Sequence, residues 1–313
     1  MTSKLPLLQL EPQYRDYVWG GQRLRPGELT AEAWVVHEDN KVASMSGQRL
    51  ADLAAKYGQA LLGRLPSERT GERFPLLIKL LDCADWLSVQ VHPNDEQAVE
   101  LEGEGHFGKT EAWHILDAEP DAALIAGLQP GVSADQLQDA IRSGNVTGVT
   151  RKIGAKQGDT FFISPGTLHA LGPGLLLYEV QQTSNLTYRV YDWDRPMKAG
   201  RMLHIDKSMA VANPAAVASA CELPEFVDGD DRVVAECPYF TLEALTGENA
   251  SFAQDTKGDS FHALTVIIGK AIIHTADENL VLNEYETVLV PAEMGGYEIE
   301  MVGMSRVLKS SVI

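Results

Sequence analysis

A succession of short extended runs, each closed by turn residues, constrains this chain more than any other feature. RFPLLIKLLDC, WLSVQVHP, TEAWHILDA, DAALIAGL, GDTFFISPGTLHAL, GLLLYEVQQ and LTYRVYDW follow one another, broken by Gly, Pro, Asn and Asp. Several alternate polar and apolar residues over about four to eight positions, as antiparallel strands with one buried face do. Helical patterns interrupt them at QRLADLAAKYGQALLG (48–63), SADQLQDAIRSG (133–144) and HIDKSMAVAN (204–213). The first has apolar residues at helical spacing, the second starts on a Ser cap and stops at Gly144, and the third precedes Pro214. Many strands and few helices predict a mainly β fold, a sandwich or barrel with helical additions, rather than a doubly wound α/β sheet.

The chain has 313 residues, enough for one large domain and a smaller one. The stretch VANPAAVASACELPEF shifts to Ala, Pro and small residues and marks a boundary. We therefore expect a larger domain over 1–215 and a smaller all-β domain over 223–313. The latter contains His262 and His274 without a cluster of ligand types and reads as structural. Cys83, Cys221 and Cys237 are odd in number and lack CxxC spacing, which points to a reducing cytoplasm. The amino-terminal MTSKLPLLQLEPQ has too short an apolar run for a signal peptide, and no window approaches a membrane-spanning length. No oligomeric state is implied. The formal charge of −18 argues against nucleic acid or an anionic membrane as partner. An anionic small molecule would need a local cationic site.

SVQVHPNDEQ supplies the first candidate ligands. Period two places Gln90 and His92 on one face and Val89 and Val91 on the other. Pro93 lacks a backbone donor and ends the strand with His92 at its rim, and Asn94 then caps a short helix through about Leu101. Glu111 opens a strand in GKTEAWHIL, and His169 follows the Pro165–Gly166 turn in FFISPGTLHAL. His92, Glu111 and His169, with Gln90 beside them, would form a borderline nitrogen and oxygen set suited to Zn²⁺, with Mn²⁺, Fe²⁺ or Co²⁺ also open. The bland alternative makes Glu111 a solvated strand end and His169 a turn residue. By parity His114 faces away from Glu111. His37 reads as structural, His106 as exposed and His204 as a helix cap.

Cationic candidates are Lys79 inside the apolar run LLIKLLD, Lys109 two residues before Glu111, and Arg189 in TYRVYDWDR. A buried ammonium needs a partner, so Lys79 could equally be paired with a core carboxylate. Arg189 could equally pair with Asp192 or Asp194.

In order along the chain, VWGGQRL, VQVHP, GKTEAW, SPGTLHAL and YEVQQTSNLTYRVYDWDR closely resemble the short form of the type I mannose-6-phosphate isomerases. These motifs span about residues 12 to 210, while the carboxy-terminal part is similar to that group only in length and pattern. The resemblance implies a cupin-type β-sandwich or jelly-roll barrel and one Zn²⁺ per chain. It implies His92, Glu111 and His169 as zinc ligands, with Gln90 matching an amide ligand of longer members. Arg189 matches the catalytic arginine, and Lys79 and Lys109 match active-site lysines. Gly108 stands where longer members have a histidine, and Asn185 where they have an aspartate, so position 185 supplies no proton-transferring carboxylate.

The implied activity is a zinc-dependent aldose–ketose isomerisation of mannose 6-phosphate and fructose 6-phosphate through a cis-enediol. Arg189 is then expected near the developing oxyanion or the phosphate. Glu179 in YEVQQ is a candidate for substrate binding or proton transfer by strand position, with a structural carboxylate as the alternative. Competing functions are an iron-dependent cupin dioxygenase and a sugar-phosphate-binding regulator without turnover.

Overall fold

A computed structural model describes residues 4–196, 201–223 and 226–313. The protein is mainly β, with several antiparallel sheets. It divides into two compact units. One comprises Met1–Gln13, Trp34–Lys79 and Leu223–Ile313, and the other Tyr14–Ala33 and Leu80–Glu222. The amino-terminal 1–13 and 34–79 thus group with the carboxy-terminal strands.

The Leu80–Glu222 unit carries a five-stranded sheet in the order Thr150–Gly154, Ala123–Leu128, His169–Leu171, Val89–Val91, Tyr188–Tyr191. One face of this sheet is apolar: Val89, Val91, Ile125, Leu168, Ala170, Tyr188 and Val190 share a buried cluster with Leu137 and Ile141. Those last two lie on the helix Ala134–Ser143, capped by Ser133 and ended by Gly144 in the left-handed conformation, as its sequence predicts. Burying each such aliphatic side chain stabilises the fold by about 1.5–3 kcal/mol.

A second set of strands in this unit runs Ser219–Glu222, Asp159–Ile163, Glu111–Ala118, Leu175–Gln182. Trp113, Ile115, Phe161, Ile163, Leu175 and Leu177 from these strands pack against Leu124, Ala126 and Leu171 of the five-stranded sheet. Two sheet faces therefore enclose one apolar interior. Period two places Glu111 on the Trp113 face and His169 on the Leu171 face. Both residues face the same interior.

The other unit is built on a sheet in the order Leu8–Gln9, Thr287–Val290, His262–His274, Gly296–Ser311, Phe240–Glu248, Asp230–Cys237. Its core includes Leu245, Leu264, Val266, Val288, Ile299 and Val307. The helical pattern at 48–63 is not one continuous helix. It forms the helices Leu50–Tyr57 and Gln59–Leu62, interrupted at Gly58, whose φ of +50° ends the first helix. The apolar spacing runs through the break because Leu61 and Leu62 remain buried.

Candidate metal centre

Strand register assembles the site. Gln90 lies directly opposite His169 on one neighbouring strand and Arg189 on the other. Opposed residues of antiparallel strands share a face, so the three side chains form a row across the sheet. His92 follows one residue after the strand Val89–Val91 and keeps the side of Gln90. Pro93 then ends the strand, and Asn94 caps the helix Asp95–Glu102 through a reciprocal box with Gln97, a cap typically worth about 1 kcal/mol. Glu111 enters from the facing strand, opposite Ile163 and Gln181.

The three expected ligands converge. Their ligand atoms all lie within 4.8 Å of one another among the described residues. His169 Nε2 is 3.1 Å from His92 Nε2 and 3.2 Å from Glu111 Oε1, and His92 Nε2 is 3.6 Å from Glu111 Oε2. Glu111 is 0% exposed and both histidines 1%, so bulk water does not screen this charge. His169 Nδ1 donates to the Thr167 carbonyl at 2.9 Å, because a carbonyl can only accept, and Nε2 is left with its lone pair facing the cluster. Burial pushes the His169 imidazole down to about 3, and the positive charge of Lys109 acts in the same direction. The ring is neutral, as a metal ligand must be.

Two imidazole nitrogens and one carboxylate, all buried, match the donor set of Zn²⁺ and related borderline cations. Lys109 reaches the same point: its Nζ is 2.7 Å from Glu111 Oε2 and 3.0 Å from His92 Nε2. Gln90 presents its amide to His169 Nε2 at 3.3 Å. Rotation about its terminal torsion would offer the oxygen instead.

Arg189 extends from the end of the Gln90 row. Its Nε donates to Ser88 Oγ at 3.1 Å and its Nη1 to the Met202 carbonyl at 3.2 Å. Burial lowers its pKa from the ordinary value, and the neighbouring Arg201 adds to the effect. Asp192 accepts from Arg195 and Arg201, and Asp194 from Tyr191. Lys79 is buried in the other unit, its ammonium 5.7 Å from the Trp34 ring centroid. Glu179 lies opposite Trp113 and accepts its indole N–H at 2.9 Å. His114 lies on the opposite face, bonded to Thr160 at 2.8 Å. His106 is exposed. His204 holds the cap position of Ile205–Val211, but its Nδ1 accepts the Arg189 N–H rather than capping the helix.

Thr167, which orients His169, and Trp113, whose ring stands edge-on to His169, are additional participants. The turn SPGT gave a local signal for the first. Trp113 shares the parity of Glu111, but only strand pairing shows what it meets.

The model of the phosphomannose isomerase type I catalytic domain matches residues 7–109. A mannose-6-phosphate isomerase of Streptococcus mutans is 33% identical over 309 residues, covering 94% of this chain and 95% of the relative. The chain belongs to the type I phosphomannose isomerases. Among solved members of this family, the mannose 6-phosphate isomerase from Bacillus subtilis is 31% identical with a TM-score of 0.83, covering 97% of this chain and 99% of that one. A mannose 6-phosphate isomerase bound with zinc and yttrium, 15% identical, shares the fold at a TM-score of 0.76 over 97% of this chain and 98% of that one.

Proposed function

We propose that this phosphomannose isomerase homologue interconverts mannose 6-phosphate and fructose 6-phosphate through a cis-enediol, with one Zn²⁺ held by His92, Glu111 and His169. The observation that carries the reading is the buried convergence of these residues in a chain of this family. Gln90 is the proposed fourth protein ligand, through its amide oxygen. When bound, the cation supplies Lewis-acid chemistry, drawing charge from the sugar oxygens as a proton moves between C1 and C2.

The chain's own residues provide the rest. Lys109 brings a buried positive charge to the ligand cluster and can hold or release a proton there. Arg189 is the proposed anchor for the developing oxyanion or the phosphate, since it lies one strand beyond Gln90. It offers local positive charge within a chain of net charge −18. Lys79 is retained as a catalytic and substrate-binding lysine on resemblance alone. Glu179 is assigned to Trp113 rather than to the sugar. We assign the chemistry to the region before residue 215 and a non-catalytic role to 223–313.

A cytoplasmic location fits the three cysteines, which form no disulfide. Among the described residues no helix is long and apolar enough to cross a membrane.

The test is to strip the metal, restore Zn²⁺ and assay mannose 6-phosphate isomerisation with oxygen uptake monitored. Activity should vanish on stripping and return with zinc, without oxygen consumption. A zinc-restored protein that does not turn over mannose 6-phosphate overturns the reading.

A further inference from the structure

Three consecutive backbone N–H groups around Lys109 are held by other segments. Gly108 donates to Asp95 Oδ1 at 2.7 Å, Lys109 to the Pro93 carbonyl at 3.0 Å, and Thr110 to Gln182 Oε1 at 2.9 Å. Gln182 also donates Nε2 to the same Asp95 Oδ1 at 3.0 Å, and its backbone N–H to the Thr110 carbonyl at 3.2 Å. A Cβ at Gly108 would lie 2.6 Å from Asn94 C and from Asp95 N, so the chain passes against the helix start without space for a side chain.

The acceptors therefore come from the turn directly after His92 and from the end of the strand paired with Glu111. An acidic residue at the first helical position is favourable for any helix. The helix does not require that its Oδ1 hold Gly108 and Gln182 as well. We infer that Asp95 and Gln182 are positioning residues for Lys109, fixing its backbone so that Nζ meets Glu111 Oε2 and His92 Nε2. Four rotatable side-chain bonds separate Lys109 Cα from Nζ, so an error in the backbone becomes a larger error at the ammonium. The inference rests on Lys109 taking part in the proposed reaction.

Gln182→Glu sets a second carboxylate against Asp95, while Asp95→Asn combined with Gln182→Glu restores an amide–carboxylate pair with the roles exchanged. In the zinc-loaded full chain, kcat of the single variant should fall roughly 10- to 100-fold, the scale of a small misplacement at a reacting centre. KM should move less, zinc content should hold, and the double variant should recover most of the loss. In a Lys109→Met background Gln182→Glu should cost almost nothing more, because both changes act through one group. Should Gln182→Glu fail to fold, Gln182→Met removes both side-chain bonds without adding charge and should show the same non-additivity. Unchanged kcat in the Gln182 variants, or the same factor lost in the Lys109→Met background, overturns the inference. Full activity of Lys109→Met alone overturns the role given to Lys109 and the inference with it.

Discussion

Trp113 donates its indole N–H to Glu179 Oε2 at 2.9 Å across paired strands and stands edge-on to His169, with ring centroids 5.4 Å apart. The carboxylate thus supports an aromatic wall beside a candidate ligand. Glu179→Gln keeps an acceptor for the indole and should retain kcat within a few-fold. Glu179→Leu leaves a buried N–H without its acceptor and should lower stability by about 1–3 kcal/mol. Thermal melts and zinc-loaded assays check both. Loss of turnover in the Gln variant at full zinc content would show that the carboxylate moves a proton.

Arg189 makes a different prediction because it stands in the row of Gln90 and His169 but outside the three-residue cluster. Removing a preorganised donor from a developing oxyanion typically costs about 10²–10³ in kcat. Arg189→Ala should show such a loss while binding as much zinc as the parent. Full activity in a metal-loaded variant removes Arg189 from the mechanism.

Period two separated Gln90 and His92 from Val89 and Val91, and the same rule set Lys109 and Glu111 on one side. These features are local, so the sequence displays them. The pairing of His169 with Gln90 is not local: 79 positions separate them, and several strands of similar composition could compete for the same edge. The association of 34–79 with the carboxy-terminal strands was hidden for a related reason. Composition marks where a chain loosens, near residue 215, but carries no record of which distant segments pack together. The Asp95–Gln182 contact was equally illegible, since neither residue belongs to a local pattern that names its partner.

Gly108 marks a departure from the longer family members and gives a steric prediction. A Cβ there meets backbone atoms of Asn94 and Asp95 at 2.6 Å, and backbone cannot swing aside as a side-chain tip can. Gly108→Ala should lower both stability and kcat, and Gly108→His, which installs the residue of the longer members, should do worse. Melting temperature and zinc-loaded kcat measure this. A fully stable, fully active Ala variant would mean that the helix start shifts without disturbing Lys109.

His262 supplies the pH prediction, in the unit that contains the carboxy-terminal strands. Its Nδ1 pairs with the Tyr297 hydroxyl at 2.7 Å, and burial pushes its pKa from 6.5 down to about 3, with the charge of Lys309 adding to the effect. The folded state therefore holds this ring neutral where the unfolded chain binds a proton. The resulting stability is fully present above about pH 6.5 and is lost progressively as pH falls toward 3. Its contribution to the slope is at most about 1.4 kcal/mol per pH unit in that window. His262→Gln removes the titrating group, so denaturation midpoints between about pH 4.5 and 6.5 should fall less steeply with acid than in the parent, whatever the offset in absolute stability. Identical slopes would mean that His262 binds its proton equally well in the folded and the unfolded protein.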